Sequence, residues 1–265
     1  MNRPMTWILD LDGVVWLSDD PIPGSAEAVV RLREAGHRVL FLTNNSGPKV
    51  GYLAEKLSAM GVPAEPDDIV TSAQAAASLL EPGSTALVCA GEGVEEALEA
   101  RGVTTVESGD ADAVVVGFHR HFDYDRLNAA FTAVHHGARL IGTNDDATYP
   151  TPDGPVPGGG ALLAAVATAA GVKPEVAGKP HDAMAAVLRD RLGEDAGSAL
   201  LVGDRPSTDG LMARRLELPF ALVLSGVTDD EPTGDDAADK VAPDLATLVD
   251  RELGGQEPAG QESAH

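Results

Sequence analysis

With 265 residues the chain is long for one domain and comfortable for two. Hydrophobic residues make up 43% and charged residues 23%, which excludes a wholly disordered chain, while aromatics at 4% leave the cores to Val, Leu, Ile and Ala. The 19 Lys+Arg against 42 Asp+Glu give a net charge of −23, a surface that repels nucleic acid and anionic membrane, so any phosphate site needs its own local cations.

An apolar run over 6–11 reads as a buried strand that ends in acid. Ser25 is expected to cap a helix carrying Val29 and Leu32 on one face and stopped by Gly36. A strand over 38–43 follows, then a helix with Val50, Leu53 and Leu57 in register, stopped by Gly61. From 85 the theme repeats. Strands over 85–90, 113–117 and 139–143 alternate with helices over 94–101, 125–136 and 160–170. A strand over 199–203, a helix over 209–216 and a strand over 220–224 complete the alternation. This order predicts α/β architecture: a parallel sheet with helices on both faces. The middle set predicts a smaller α/β domain inserted into the first. Residues 1–80 plus 178–253 would form a discontinuous core, 81–177 the insert, and the aperiodic 254–265 a disordered tail. The core is expected to stay soluble without 84–175. The single cysteine, Cys89, sits in an apolar run and reads as a small buried hydrophobe, so no internal disulfide can form. Nothing resembles a signal peptide or a membrane span, which predicts a cytoplasmic protein.

Four short motifs sit at or just after strand ends, where ligands bind in open α/β sheets. The first is Asp10-Leu11-Asp12-Gly13-Val14. Side chains alternate along a strand, so Asp10 and Asp12 point the same way, and two such acids repel unless a cation or proton lies between them. The second, Thr43-Asn44-Asn45-Ser46, offers a hydroxyl, amides and N–H groups to an anion. The third, Gly178-Lys179-Pro180, brings a scarce Lys to the re-entry from the insert. The fourth, Gly203-Asp204-Arg205-Pro206-Ser207-Thr208-Asp209, supplies hard oxygen ligands that suit Mg²⁺.

The order acid pair, Thr, Lys, acid pair resembles the haloacid dehalogenase (HAD) superfamily. The resemblance is closest to its NagD-like, p-nitrophenyl phosphatase-like branch, and it runs over most of the chain. Pro21-Ile22-Pro23-Gly24, Gly117-Phe118 with Phe122 and Tyr124, and Tyr149-Pro150-Thr151-Pro152 with Pro157-Gly158 carry it further. It implies a Rossmann-like HAD core with a large cap between the Thr and Lys motifs, where the insert lies. It also implies a Mg²⁺-dependent phosphatase acting on a small-molecule phosphomonoester. Asp10 would be the nucleophile that becomes an aspartyl phosphate, and Asp12 the general acid and base. Asp10, the Asp12 carbonyl, Asp204 and Asp209 would hold Mg²⁺, and Thr43, Asn44 and Lys179 the phosphoryl oxygens. Caps of this kind often pair, which implies a homodimer through the cap. The chain departs from the branch at Pro206-Ser207, where Leu-Asp is frequent, at His119, where Asp is common, and at Asp145, where Pro is common. The cap departures leave the substrate open among glycerol phosphate, phosphoglycolate, pyridoxal phosphate, nucleotides and sugar phosphates.

Weaker signals have plainer readings. Gly91-Glu92-Gly93 opens a helix after a strand, but Glu96 stands where a dinucleotide fingerprint needs its third Gly, and Glu92 and Glu95 would repel a pyrophosphate. His119, His121, His135 and His136 read as surface or partly packed side chains. Asn144 and Asp146 either touch substrate or close the cap on the core. The competing functions are a dehalogenase or phosphomutase of the same superfamily, a phospho-receiver module and a phosphate-binding module without turnover. Asp12 argues against the first, because a halide leaving group needs no proton. The insert and the order of the acids argue against a receiver.

Overall fold

The structure, a computed structural model, describes residues 4–149, 154–228 and 237–254. In chain order the first part holds β1 (Thr6–Asp10), the short hairpin β2 (Trp16–Leu17) and β3 (Asp20–Pro21), α1 (Ser25–Glu34), β4 (Arg38–Thr43), α2 (Val50–Ala59), β5 (Ile69–Thr71) and α3 (Ser72–Ser78). A middle part follows: β6 (Thr85–Cys89), α4 (Glu92–Ala100), β7 (Thr104–Val106), β8 (Ala113–Val116), α5 (Tyr124–His135) and β9 (Arg139–Gly142). It ends with β10 (Thr148–Tyr149), β11 (Val156–Pro157), α6 (Gly159–Ala170) and β12 (Glu175–Val176). The last part is α7 (Asp182–Leu192), β13 (Ala199–Gly203), α8 (Leu211–Leu216), β14 (Phe220–Val223), β15 (Lys240–Ala242) and α9 (Leu245–Gly254).

Two parallel sheets organise these elements. One has the order β15-β14-β13-β1-β4-β5 and joins the first and last parts of the chain; the other, β12-β9-β8-β6-β7, belongs to the middle part. Every position of β1 is buried. Trp7 and Leu9 pack on one face with Phe41, Val29, Leu32 and Leu248, which brings α1 and α9 there. Ile8 faces the other way and joins Leu40, Ala76, Met184 and Leu188 under α3 and α7. A strand covered on both faces needs no polar side, which is why 7–9 reads as an unbroken apolar run. The second sheet also has two apolar faces. Val114, Val116, Val134 and Leu163 pack under α5 and α6. Val88, Val115 and Ile141 turn instead into the same cluster as α3, α4 and the first sheet.

Several local details differ from the sequence expectations. Ser25 does not cap α1. Gly24, with φ 79°, precedes the helix, and the Ser25 hydroxyl donates to the Val15 carbonyl at 2.9 Å, tying the helix to the hairpin. The helix expected over 209–216 starts at Leu211, because Pro206–Gly210 forms a wider π turn in which the Gly210 N–H reaches back five residues to the Arg205 carbonyl at 3.3 Å. β5, α3 and α9 lie beyond the predicted elements. Gly254 closes α9, and 255–265, read as a tail, lies outside the described residues, as does 150–153 of the Pro-rich loop.

Candidate active site

β1 lies between β13 and β4, with Leu9 level with Val202 and Asp10 level with Leu42. Asp10 therefore emerges beside Asp204 on one side and Thr43 on the other. Lys179 enters between them on the chain that returns from the second sheet. Its ammonium lies 2.8 Å from Asp10 Oδ1 and 2.7 Å from Asp209 Oδ1, with the side chain only 3% exposed. The carboxylate oxygens of Asp10, Asp204 and Asp209 lie within 4.8 Å of one another.

The electrostatics follow from burial. Desolvation pushes the Asp10 carboxyl well above its ordinary range, against the pull of Lys179 and with the push of Asp209 and Asp204. Burial, then the charge of Asp209, pushes Asp204 up to about 6. Burial works against the Lys179 charge, yet Asp10 and Asp209 together hold the ammonium protonated above its ordinary value. One ammonium thus faces three buried carboxylates. A divalent cation would bring the group to neutrality, and hard carboxylate oxygens are the donors such an ion takes. The residues fit a divalent metal on charge and on donor chemistry alike.

Main-chain contacts fix the acids. The Val227 N–H donates to Asp204 Oδ2 at 2.7 Å, and the Arg205 N–H to Asp209 Oδ2 at 3.2 Å. The Leu11 N–H donates to Asp10 Oδ1 at 2.8 Å. Glycine is required where these loops meet. A Cβ on Gly226 would lie 2.1 Å from Asp204 Oδ2, and one on Gly203 2.3 Å from the Asp209 Cβ.

Asp12 sits apart from this cluster. The Trp16 indole N–H donates to its Oδ1 at 3.1 Å, and burial raises its carboxyl above the ordinary value. Lys56 backs the indole, with its ammonium 4.5 Å from the ring centroid, and donates to the Ser18 carbonyl and to Asp19 at 2.8 and 2.9 Å. The hairpin β2–β3 is thereby pinned against α2 with Trp16 aimed at Asp12.

Asn44 departs from a simple phosphate ligand. Its amide N–H groups go to Asp146 Oδ2 at 3.0 Å and the Lys179 carbonyl at 3.1 Å, while its amide oxygen accepts from the Lys179 N–H at 2.7 Å. The Asn144 amide donates to the Asn44 carbonyl at 2.8 Å. Asn144 and Asp146 thus tie the second sheet's loop to the first sheet's strand end. Asp145 beside them pairs with His181 at 3.1 Å, and this hydrogen bond holds its carboxyl below the ordinary range. Thr43 Oγ1 accepts from the Asn45 N–H at 3.0 Å. The resulting cleft is lined by Asp10, Asp12, Thr43, Lys179 and Arg205 below and by Phe118 and Tyr149 above. Phe118 and Tyr149 stack with centroids 5.4 Å apart. Burial, then the charges of Asp12 and Asp19, pushes the Tyr149 hydroxyl up to about 12.

The weaker motifs find other uses. Gly91 and Gly93 let α4 approach the loop after β4. The Gly93 N–H donates to the Gly47 carbonyl at 2.9 Å, and a Cβ there would lie 2.2 Å from the Pro48 carbonyl oxygen. His119 accepts from the His121 N–H, His135 stacks on Phe131, and His136 pairs with Asp110. Burial raises the Cys89 thiol to about 11. Sequence reasoning gave no role to Trp16, Arg205 or Val227. Trp16 left a signal, an aromatic four residues after Asp12. Val227 acts through its main chain, which no side-chain pattern discloses.

Comparison with known proteins agrees with this arrangement. Residues 7–104 match the family model described as haloacid dehalogenase-like hydrolase, and residues 176–248 match a second HAD-hydrolase-like model. An acid sugar phosphatase of Staphylococcus saprophyticus is 32% identical over 234 residues, 87% of this chain and 90% of the relative. The 5'-nucleotidase YutF of Bacillus subtilis is 33% identical over 87% of this chain and 91% of its own. Among solved structures, the p-nitrophenyl phosphatase of Archaeoglobus fulgidus superposes with TM-score 0.86 at 31% identity, covering 94% of this chain and 99% of that one. The glycerol phosphate phosphatase Rv1692 of Mycobacterium tuberculosis, in complexes with calcium and with magnesium, gives TM-score 0.83 at 34% identity over 92% of this chain. With its strand-end acids, its Thr and Lys in that order and relatives that span nearly its whole length, the chain belongs to the haloacid dehalogenase-like hydrolases, in their NagD-like, p-nitrophenyl phosphatase-like branch.

Proposed function

We propose that the chain is a Mg²⁺-dependent phosphatase that hydrolyses a small-molecule phosphomonoester through an aspartyl phosphate on Asp10. The observation that carries this reading is the buried group of Asp10, Asp204 and Asp209 around Lys179, with Asp12 beside it in the same cleft. The names of relatives, acid sugar phosphatase, 5'-nucleotidase and glycerol phosphate phosphatase, support the reaction class. Residues 1–80 with 178–253 serve as the catalytic core and 81–177 as the cap.

The roles follow the geometry. Asp10 Oδ1 is held by Leu11 and Lys179, so the carboxylate is oriented for in-line attack on phosphorus. The P–O bond to the leaving group breaks as the Asp10 O–P bond forms. Asp12 gives its proton to the leaving oxygen, and burial, which raises its carboxyl above the ordinary value, favours the protonated form that this step needs. In the second step Asp12 takes a proton from the water that attacks the aspartyl phosphate, releasing inorganic phosphate and restoring Asp10. Thr43 and Lys179 hold phosphoryl oxygens. Asn44, with its amide spent, acts through Lys179 as a positioning residue. Asp10, the Asp12 carbonyl, Asp204 and Asp209 would hold Mg²⁺, which when bound supplies positive charge to the phosphoryl oxygens. We further take the enzyme to be cytoplasmic and to form a homodimer through the cap, which sedimentation would test; no described helix is long and apolar enough to cross a membrane.

Phosphate release from p-nitrophenyl phosphate tests the reading. Activity should appear with Mg²⁺, vanish in excess EDTA and return on adding Mg²⁺. Asp10→Asn should lower kcat by about 10³-fold or more, as expected for loss of a nucleophile. A folded Asp10→Asn protein that keeps most of its activity would sink the assignment.

A further inference from the structure

The cleft holds two cationic side chains, Lys179 and Arg205, in a protein where acids outnumber bases by 42 to 19. Their situations differ. The Lys179 ammonium is committed to Asp10 and Asp209. The Arg205 main chain is equally committed. Its N–H donates to Asp209, and its carbonyl accepts from the N–H groups of Thr208 and Asp209 at 3.2 and 2.8 Å. Its guanidinium makes no hydrogen bond or ion pair with any described residue.

The other polar groups of the cleft sharpen the contrast. Asp12 is taken by Trp16, Asn144 and Asp146 by Asn44, and Asn45 by the Gly47 N–H. Arg205 is half-buried and lines the cleft with Asp12, and its charge only opposes the rise of the Asp12 and Asp204 carboxyls, yet it pairs with neither. A partly desolvated guanidinium without a partner is costly, and it would be disfavoured further beside a bound divalent cation. The arrangement makes sense if the partner arrives with the ligand. A guanidinium presents a planar fork of donors that matches the two oxygens of a carboxylate or a phosphate. The transferring phosphoryl group already has Thr43 and Lys179.

We infer that Arg205 is a specificity-determining residue that binds a second anionic group, a carboxylate or a further phosphate, on the leaving-group part of the substrate. This rests on the phosphatase reading for the placement of the leaving group. It narrows the preferred substrates to phosphomonoesters that carry another negative charge, rather than neutral polyol or aryl phosphates.

Matched pairs test it. Phosphoglycolate against 2-hydroxyethyl phosphate varies a carboxylate, and propane-1,3-diol bisphosphate against 3-hydroxypropyl phosphate varies a second phosphate. Wild type should favour the anionic member of at least one pair by about tenfold in kcat/KM, carried mainly by KM. Which pair shows it identifies the anion. Arg205→Gln should collapse that preference, while Arg205→Lys, which keeps the charge and loses the fork, should restore part of it. Binding of the same four compounds to Asp10→Asn, with and without Arg205→Gln, gives the readout without turnover. A preference lost with Arg205 in that background upholds the inference even if no phosphate is ever released, an outcome that would sink the phosphatase reading alone. Turnover of p-nitrophenyl phosphate with no preference in either pair overturns the inference and leaves the phosphatase standing. Equal losses on both members of each pair in Arg205→Gln also overturn it, assigning Arg205 to the phosphoryl group or the acid cluster.

Discussion

At the scale of single residues, two acids two positions apart meet different environments. Asp10 faces an ammonium and two carboxylates, whereas Asp12 faces an indole N–H. Asp12→Asn should therefore slow esters with poor leaving groups by about 10²-fold more than p-nitrophenyl phosphate, whose leaving group needs little protonation. Equal losses would remove the general-acid role. Asp204 gives a pH test. Its carboxyl, at about 6 in the fold, lies above the ordinary carboxylate value, so the folded chain binds the extra proton between the two. Without metal, this group's contribution to stability is present at low pH and falls as pH rises through 6. In EDTA, the melting temperature should drop between about pH 4 and about pH 6.5, and the drop should shrink in Asp204→Asn. A drop of the same size in the variant would place its source in other groups. The site acids, Thr43 and Lys179 were legible because short polar motifs at the ends of apolar runs are visible in one dimension. The partners that orient them were not. Val227 lies 23 residues beyond Asp204 and uses only its N–H, and the competition for the Asn44 amide depends on chain segments about 100 and 135 residues away.

At the scale of elements, the long periodic segments were readable and the short or uniform ones were not. β1, β4 and β13 are apolar runs bounded by polar turns, and α5 carries its apolar positions at helical spacing. α3 is Ser-Ala-Gln-Ala-Ala-Ala-Ser, with small side chains all round and no periodic signal; its start is set by the Thr71–Gln74 capping box instead. The π turn before α8 escaped because it is defined by the Gly210 N–H reaching back to the Arg205 carbonyl, a contact no propensity encodes. The start of α4 carries the element-scale prediction. Gly93→Ala must displace the Pro48 carbonyl, so it should cost about 1–3 kcal/mol of stability and raise KM by disturbing how α4 sits against the loop after β4. Unchanged melting and KM would show that the loop yields freely.

At the scale of the whole molecule, the two sheets share apolar material. Val88, Val115 and Ile141 of the second sheet lie in one cluster with Ile8 and Leu40 of the first, through α3 and α4. The sequence suggested that the core would survive removal of 84–175 as a soluble protein. The structure argues otherwise: the deletion would bare the apolar faces of α3 and its neighbours. The truncated chain should aggregate or melt well below the full one, and a monodisperse truncation with unchanged melting would overturn this. The net charge of the chain is −23. Its effect is to make the few committed cations, Lys179 above all, decisive for where an anion can rest.

The strand order has a consequence for synthesis. β1 is made first and lies at the centre of its sheet, with β4 on one side and β13, some 190 residues later, on the other. A chain emerging from the ribosome therefore holds Asp10 for most of its translation with one flank of β1 open and neither Lys179 nor Asp204 yet made. The second sheet, whose strands lie close together in sequence, can form in that interval. The acid cluster closes only when β13, β14 and the Ser225–Val227 loop arrive, so Asp10 stays without its two neighbouring carboxylates and without the main-chain donor that orients Asp204 until then.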